Sequence, residues 1–427
     1  MSRPKNKTAA PIIIVGGGAG GAELAVKLAA DGQAGVRLID REATHVWKPR
    51  IHELAAGLRR GHVDELGYAG LAQRWGFAFE RGTLADIDAD ANTIRLAAER
   101  DDDGQTLVPE RSVAYRALVL ALGGVTPDLG VDGVLEHAFM LDSARDAEVI
   151  SERFSARLLA HARGVEDRAF DIVIVGTGAT GVELAAHLAT DARSTTLTPP
   201  AALPDIRITL VEAADTFMPG MNDKVRQSIG ERLKKAGVRI ETGQQIGKVS
   251  ADAVETEEGA RFTADMTIWA TGRVGPPVAG DIQALSTNKK RQWRVRKTLQ
   301  SLDSDAVFAL GDCSYIDDEP APPTAQAASE QAAHLAKQLP RYLAGETLEP
   351  FSFTDQGTLL SLGEAGSVGA VRGWFSDDIQ VRGRLARTAY RGLQRQHQLR
   401  LLGRFRGSIE ILGDVLGEAA GPDMKVY

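Results

Sequence analysis

The chain has 427 residues, 43 % hydrophobic and 25 % charged, with a formal net charge of −7 and a single cysteine, Cys313. That length exceeds what one hydrophobic core organises, so two or three domains of an ordinary globular protein are expected. The acidic balance argues against nucleic acid as a partner, one thiol excludes an internal disulfide relay, and no run of about 20 apolar residues is present to cross a bilayer.

Residues 1–10 are basic and polar, and the apolar run after them breaks at three glycines. No signal peptide is therefore expected, and a reducing cytoplasm is the expected compartment. Ile12-Ile13-Ile14-Val15-Gly16-Gly17-Gly18-Ala19-Gly20-Gly21-Ala22-Glu23-Leu24 is a short β-branched run that ends in Gly-x-Gly-x-x-Gly and enters an Ala/Leu-rich helix. Gly16 permits the tight turn, Gly18 lets the backbone approach a pyrophosphate, and Gly21 lets helix and strand pack closely. Ala19 and Gly20 complete the turn at a helix N-terminus that offers free N–H groups and positive dipole. Residues 36–40 read as the next strand, ending in Asp40, 19 residues beyond Gly21, where a ribose-binding carboxylate belongs. Residues 93–96 and 111–114 read as extended segments around an acidic turn at 101–104. A buried strand over 117–122 comes next and ends at Gly123-Gly124.

The motif returns 160 residues later as Ile172-Val173-Ile174-Val175-Gly176-Thr177-Gly178-Ala179-Thr180-Gly181-Val182-Glu183-Leu184. A lone copy is a weak signal; two copies in the right context imply two bound dinucleotides. The strand over 207–211 ends in Glu212, 31 residues after Gly181, because a polar, Pro-bearing loop over 190–205 precedes it. Short strands are expected over 238–241 and 253–256, and the run 267–270 closes at Thr271-Gly272. A third strand, over 306–310, ends in Gly311-Asp312. Pro323 suits the first turn of a helix whose body is the Ala-rich run 325–339. Between 381 and 407 stand Arg382, Arg384, Arg387, Arg391, Arg395, Arg400, Arg404 and Arg406, with no Asp or Glu. From Arg384 onward, Leu385, Ala389, Leu393, Leu399 and Leu402 recur at helical spacing, with arginines on another flank. Such a helix can lie against anionic lipid headgroups, or can dock on the protein's own core or a dimer partner.

With its two glycine motifs, Ala-Leu-Gly and Ala-Thr-Gly strand ends and a late Gly-Asp, the chain resembles the flavoproteins with two dinucleotide-binding domains. It is most similar to the type II, non-proton-pumping NADH dehydrogenases. The specific segments are Val46-Trp47-Lys48-Pro49-Arg50-Ile51-His52-Glu53-Leu54-Ala55-Ala56-Gly57, Pro322-Pro323-Thr324-Ala325-Gln326-Ala327-Ala328, and Arg382-Gly383-Arg384-Leu385-Ala386-Arg387 with Tyr390, Gln396-His397-Gln398 and Gly403. The likeness runs from about Ile12 to about Gly407. It implies an α/β fold of two Rossmann-like domains, for FAD and NAD(H), plus a C-terminal amphipathic helical membrane-binding region. The expected boundaries are 8–140 and 286–350 for the two parts of the FAD domain, 141–285 for the NAD(H) domain, and 351–427 for a membrane-association or dimer segment.

The resemblance implies hydride transfer from NADH to FAD and then two electrons to a membrane quinone, ubiquinone or menaquinone. The implied protein is a homodimer lying peripherally on the cytoplasmic side of the cell membrane. Asp40 and Asp312 would contact FAD, with Gly16, Gly18, Ala19, Gly20, Gly21, Lys48, Gly123, Gly311 and Ala325 around it. Gly176, Gly178, Gly181, Glu212, Thr271 and Gly272 would hold NADH. Glu212 can pair with a 2′-hydroxyl but repels a 2′-phosphate, and Ala213-Ala214 supply no arginine, so NADH is favoured over NADPH. Glu183 matches the family's acid beside nicotinamide and flavin; a helix carboxylate near a dipole is its plainer reading, as Glu23 in the FAD half illustrates. Lys48 lies near the flavin edge or snorkels past Trp47. His52 and His397 are expected to be packing or surface residues rather than proton donors, and Cys313 to be a small packing residue. Where the family has Ala-Gln-x-x-x-Gln along a quinone channel, this chain keeps Gln326 and carries Glu330, on one helical face at four-residue spacing. Sulfur chemistry is excluded by the single thiol. A soluble reductase of a ferredoxin or rubredoxin and a non-catalytic NADH-sensing flavoprotein stay open as alternatives.

Overall fold

The computed structural model describes residues 10–57, 65–101, 103–163, 165, 168–190, 205–317, 319–355, 357–363, 366–372 and 378–419; for 161, 162, 358, 369–372, 378–391, 393 and 414–419 it describes the backbone alone. The helices in chain order are α1 (Ala19–Ala30), α2 (Ile51–Ala55), α3 (Tyr68–Trp75), α4 (Val134–His137), α5 (Ala144–Ala162), α6 (Ala179–Thr190), α7 (Asp223–Lys235), α8 (Val278–Asp281), α9 (Ala325–Leu343), α10 (Gly383–Leu402) and α11 (Arg404–Ala419).

Two five-stranded parallel sheets carry the molecule. In the first, Ala78–Arg81, Val36–Asp40, Ile12–Val15, Ala117–Leu120 and Val307–Ala309 lie side by side, with Ile12 opposite both Val36 and Ala117. Every residue of Ile12–Val15 is buried, which is why this strand is a continuous apolar run rather than an alternating one: both sheet faces are covered. In the second sheet, Val238–Glu241, Ile206–Val211, Phe170–Val175, Met266–Trp269 and Ala138–Met140 repeat the order. Each sheet is accompanied by a small antiparallel meander. Leu84–Asp88, Thr93–Leu96 and Arg111–Ala114 form the first, and Ile246–Val249, Ala253–Thr256 and Arg261–Thr263 the second. Beyond α9 comes a three-stranded antiparallel sheet, Gly357–Ser361, Ser367–Arg372 and Asp378–Arg382, and then α10 and α11.

Three details differ from the sequence reading. Ala138–Met140 pairs with Met266–Trp269, so the second sheet begins before residue 141. Ala279, Ile282 and Leu285 sit in the first hydrophobic core although they precede residue 286, because α8 and the strand Trp293–Val295 lead the chain back to the first sheet. Pro323 is not in the first turn of α9: Thr324 is the N-cap, its side chain accepting a hydrogen bond from the Ala327 N–H, and the two prolines stand outside the helix. A Thr cap satisfies one of the four free N–H groups, a task that proline cannot perform. The expected loop over 190–205 lies outside the described residues apart from its two ends.

Candidate active site

The two glycine turns match in backbone angle and in close approaches. Gly16 and Gly176 have φ of +101° and +104°, in the region that glycine alone adopts without strain. A Cβ on Gly16 would stand 2.4 Å from the Ala121 carbonyl oxygen, and one on Gly176 2.5 Å from that of Ala270. A Cβ on Gly21 or Gly181 would collide with the carbonyl oxygen of Gly16 or Gly176, at 1.9 and 2.3 Å. Gly18 and Gly178, by contrast, face open space, with no atom within 4 Å of such a Cβ. This is the cradle a pyrophosphate requires: closed behind by packing, open in front of the helix N-terminus.

The strand-end carboxylates brace these turns. Asp40 Oδ2 accepts from the Gly17 N–H at 2.5 Å and Oδ1 from the Glu42 N–H at 2.8 Å. Glu212 Oε2 accepts from the Thr177 N–H at 3.1 Å and from the Thr177 hydroxyl, and its Oε1 from the Ala214 N–H at 3.1 Å. Burial pushes the Asp40 carboxyl above its ordinary value, against the pull of its backbone donors. Asp40 and Glu212 thus stand beside their turns at equivalent places in the two halves.

Lys48, Arg273, Asp142 and Asp312 form a cluster of charges that act on one another. Asp312 is in a short 3-10 turn, Gly311–Cys313, where Gly311 has φ of +71° and donates its N–H to Gln331 Oε1 at 2.6 Å. The Asp312 carboxylate accepts no hydrogen bond from the described residues. Burial raises it, while the charges of Arg273 and Lys48 lower it. Lys48 is exposed to solvent yet surrounded by protein, and desolvation, reinforced by Arg273, depresses its ammonium. A carboxylate and an ammonium without hydrogen-bond partners among the described residues suit a polar ligand, and the residues fit a flavin dinucleotide. The glycine cradle adjoins the start of α9, where a Cβ on Gly20 would stand 2.9 Å from the Ala328 carbonyl oxygen, and Ala325 is in the first turn of that helix.

Arg273 and Asp142 were not singled out in the sequence. Arg273 Nη1 donates to Asp142 Oδ1 at 2.8 Å and to the Gly124 carbonyl at 3.1 Å, and Asp142 also accepts from the Thr126 N–H and hydroxyl, both at 2.9 Å. Val125 and Val274 exchange backbone hydrogen bonds across the same gap. The glycine ends Gly123-Gly124 and Thr271-Gly272 are therefore tied together where the chain passes between domains. The usable signal was Arg273 directly after the second strand end. Cys313 packs in the first core, its thiol pushed up to about 12 by burial.

Glu183 lies on α6 and is buried. Its Oε1 accepts from the Ser361 N–H at 2.8 Å, and its Oε2 is 3.4 Å from His52 Nδ1. The His52 and His187 rings stand 4.9 Å apart, and His52 Nε2 is buried without a hydrogen-bond partner. With Glu53 they form the only metal-spaced group among the described residues, but the Glu53 carboxylate is already held by the Arg50 guanidinium. Gln326 and Glu330 do share a face of α9: Gln326 Nε2 donates to Glu330 Oε1 and to the Thr354 carbonyl, each at 2.9 Å, and Glu330 Oε2 accepts from the Thr354 N–H at 3.2 Å. Together they clasp the segment that leaves α9.

The C-terminal helices divide the roles expected of one. Leu401 and Leu402 of α10 are buried in the first core, and Trp75 Nε1 donates to the Leu401 carbonyl at 2.7 Å, so this end of α10 docks on the protein itself. His397 is not a surface residue, being only 2 % exposed. The side chains of Leu385, Ala389, Leu393, Arg382, Arg384, Arg387, Tyr390 and Arg391 are outside the described part of the structure. The exposed apolar stripe is on α11, where Phe405, Ile409 and Leu412 are 81, 55 and 58 % exposed at spacings of four and three. Arg404 and Arg406 stand exposed beside it.

Comparison with known proteins bears on this geometry. Residues 10–332 match the family described as pyridine nucleotide-disulphide oxidoreductase. A type II NADH:quinone oxidoreductase of Haemophilus influenzae is 33 % identical over 97 % of this chain and 99 % of its own, and one of Staphylococcus aureus is 25 % identical over 85 % and 90 %. Among solved structures, NDH2 of Plasmodium falciparum in complex with NADH has a TM-score of 0.79 at 16 % identity, covering 95 % of this chain and 97 % of that one; at that identity the likeness concerns the fold. The chain belongs to the pyridine nucleotide-disulphide oxidoreductase family and, within it, to the type II NADH:quinone oxidoreductases.

Proposed function

We propose that the protein is a non-proton-pumping NADH dehydrogenase that uses FAD to pass two electrons from NADH to a membrane quinone. The observation that carries this reading is the pair of equivalent cradles, closed behind by Ala121 and Ala270 and open at Gly18 and Gly178. Bound flavin supplies the hydride chemistry; the protein binds, orients and excludes water. Asp40 and Asp312 hold the first dinucleotide and Glu212 the ribose of the second. Glu183 closes the side where α6 meets α2, and the Gln326–Glu330 face of α9 receives the quinone head. The dipole of α9 favours negative charge on reduced flavin, worth about 1 kcal/mol.

Membrane contact is expected from the chemistry of the acceptor, since a quinone dissolved in lipid must reach the site without crossing water. No helix among the described residues is long and apolar enough to cross a membrane. The surface that supports peripheral binding is the Phe405–Ile409–Leu412 stripe of α11, with arginines beside it for anionic headgroups. The cytoplasmic face of the cell membrane and a homodimer belong to the same reading; sedimentation reads the second directly.

The test pairs two assays on purified, FAD-loaded protein. It should reduce a short-chain quinone with NADH and bind vesicles containing anionic lipid. Changing Phe405, Ile409 and Leu412 to serine should lower vesicle binding at least tenfold and leave NADH oxidation with a soluble acceptor within about twofold, the apolar area lost being worth more than about 1.4 kcal/mol. Rapid reduction of a ferredoxin without vesicle binding would favour a soluble reductase, and flavin reduction without turnover a sensor.

A further inference from the structure

Three buried side chains outside the nucleotide cradles form one continuous hydrogen-bonded line. Glu23 Oε1, on α1, lies 2.7 Å from His397 Nδ1, on α10; His397 Nε2 lies 2.8 Å from His45 Nε2; and His45 Nδ1 lies 2.8 Å from the Gly17 carbonyl oxygen. Glu23, His397 and His45 are 1, 2 and 2 % exposed. The line ends on the first phosphate turn. The Gly17 N–H is the one held by Asp40, and its carbonyl also accepts from the Tyr68 hydroxyl at 2.7 Å.

The protons on this line can be counted. The Gly17 carbonyl can only accept, so His45 Nδ1 carries a hydrogen. Burial, the largest cause, drives His45 well below its ordinary value, so the ring is neutral and its Nε2 is a lone pair. His397 Nε2 must therefore donate. Burial alone would raise Glu23, but His397, Ser329 and Arg400 outweigh it and hold the carboxyl below its ordinary value, so it is ionised and accepts from His397 Nδ1. Both nitrogens of His397 carry hydrogen, and the ring is an imidazolium. Its face stacks on Trp47 with centroids 4.1 Å apart, an arrangement that favours a cation.

We propose that His397 is a positioning residue: seated as an imidazolium between Glu23 and His45, it couples the docking of α10 to the shape of the phosphate turn that holds FAD. Loss of its Nε2 proton leaves two lone pairs facing each other 2.8 Å apart, so the His45 contact turns repulsive. Glu23 does not share that loss, because Arg400 Nη1 also reaches Glu23 Oε1, at 3.3 Å, and the Ser329 hydroxyl, at 2.5 Å. The other charged or titratable groups nearby are Asp40 and Tyr68 at Gly17, and the Arg50–Glu53 pair, whose guanidinium also bonds Gln394 one turn from His397.

The experiment uses the full chain loaded with FAD. Flavin release, tracked by the fluorescence of free flavin, and amide exchange over residues 394–402 are measured near pH 6 for the unaltered protein and for His397→Gln. The variant keeps a donor and an acceptor but cannot bridge Glu23 and His45 as an imidazolium does; it should release flavin about tenfold faster, with faster exchange over the same residues. In the unaltered protein near pH 6, nitrogen chemical shifts should show one histidine protonated at both ring nitrogens and bonded to a second protonated at Nδ1 alone. This measurement decides the question even where the variant fails to fold. Two neutral rings in that spectrum, or flavin release and amide exchange unchanged in the variant, would overturn the proposal.

Discussion

Glu23 and Glu183 occupy the same place in the two half-repeats, two residues beyond the last motif glycine, and each buried carboxylate takes a hydrogen bond from the C-terminal third of the chain. Glu23 is bonded by His397 of α10 and Glu183 by the backbone N–H of Ser361. The duplicated helix position has thus become a pair of anchors, one in each nucleotide domain. Their partners differ: Glu23 faces an imidazolium, whereas His52 beside Glu183 is driven down to about 3 by burial and by His187, and is neutral. Glu23→Ala should cost about 3–5 kcal/mol in urea unfolding, because it strands a buried cation. Glu183→Gln should cost less than about 2 kcal/mol. Its larger effect should be on turnover, a roughly tenfold loss of kcat with NADH KM changed less than threefold; equal losses of kcat in the two variants would remove the distinction.

Glu212 is the residue proposed to set the choice of nucleotide. It is braced by Thr177 and Ala214, which fixes its carboxylate at the strand end beside the second glycine turn. Glu212→Ala should raise NADH KM by about tenfold while NADPH KM falls or stays level, narrowing the preference by one to two orders of magnitude in steady-state kinetics. A variant that keeps its preference for NADH would relocate the discrimination.

Asp312 is expected to oppose folding and favour cofactor. Its carboxyl is raised by burial, so the folded state prefers it protonated. Stability is full below the unfolded value near 3.8 and declines as pH rises through the higher folded value. At neutral pH the ionised group therefore destabilises the FAD-free protein. Asp312→Asn should raise the melting temperature of the FAD-free form at pH 7, with no gain near pH 3, and should weaken FAD binding about tenfold or more. Calorimetry of both forms checks the two signs.

Acid sensitivity should start well above the carboxylate range. His45 and His52 are each lowered to about 3 by burial, so folding stability is complete above the unfolded value near 6.5 and is lost as pH falls from there toward 3. Across that window unfolding should take up about two protons from these rings, and His52→Asn should reduce the count by one. Calorimetric melting between about pH 6.5 and 4 measures it; a slope unchanged by the variant would show that His52 is not held neutral.

Much of this was legible in the residues because the glycine turns and the strands before them are local: Gly16, Gly18 and Gly21 must come within a few residues of a buried strand, and so must Gly176, Gly178 and Gly181. Glu212 and Asp40 were legible for the same reason, as ends of adjacent strands. Contacts between distant segments escaped. His45 and His397 are 352 positions apart, and nothing in either neighbourhood announces the other. Arg273 and Asp142 meet only because both interdomain connections cross at one place. The C-terminal pattern misled in part, since helical spacing shows that a face is apolar but not what covers it: Leu402 faces the core, while Phe405, Ile409 and Leu412 face outward.

The most direct test of electron flow is an anaerobic single-turnover experiment on the FAD-loaded protein. One equivalent of NADH should bleach the oxidised flavin band, and one equivalent of a short-chain quinone should then restore it with formation of one hydroquinone. A band that NADH bleaches but quinone does not restore, or that NADH leaves untouched, would contradict the account.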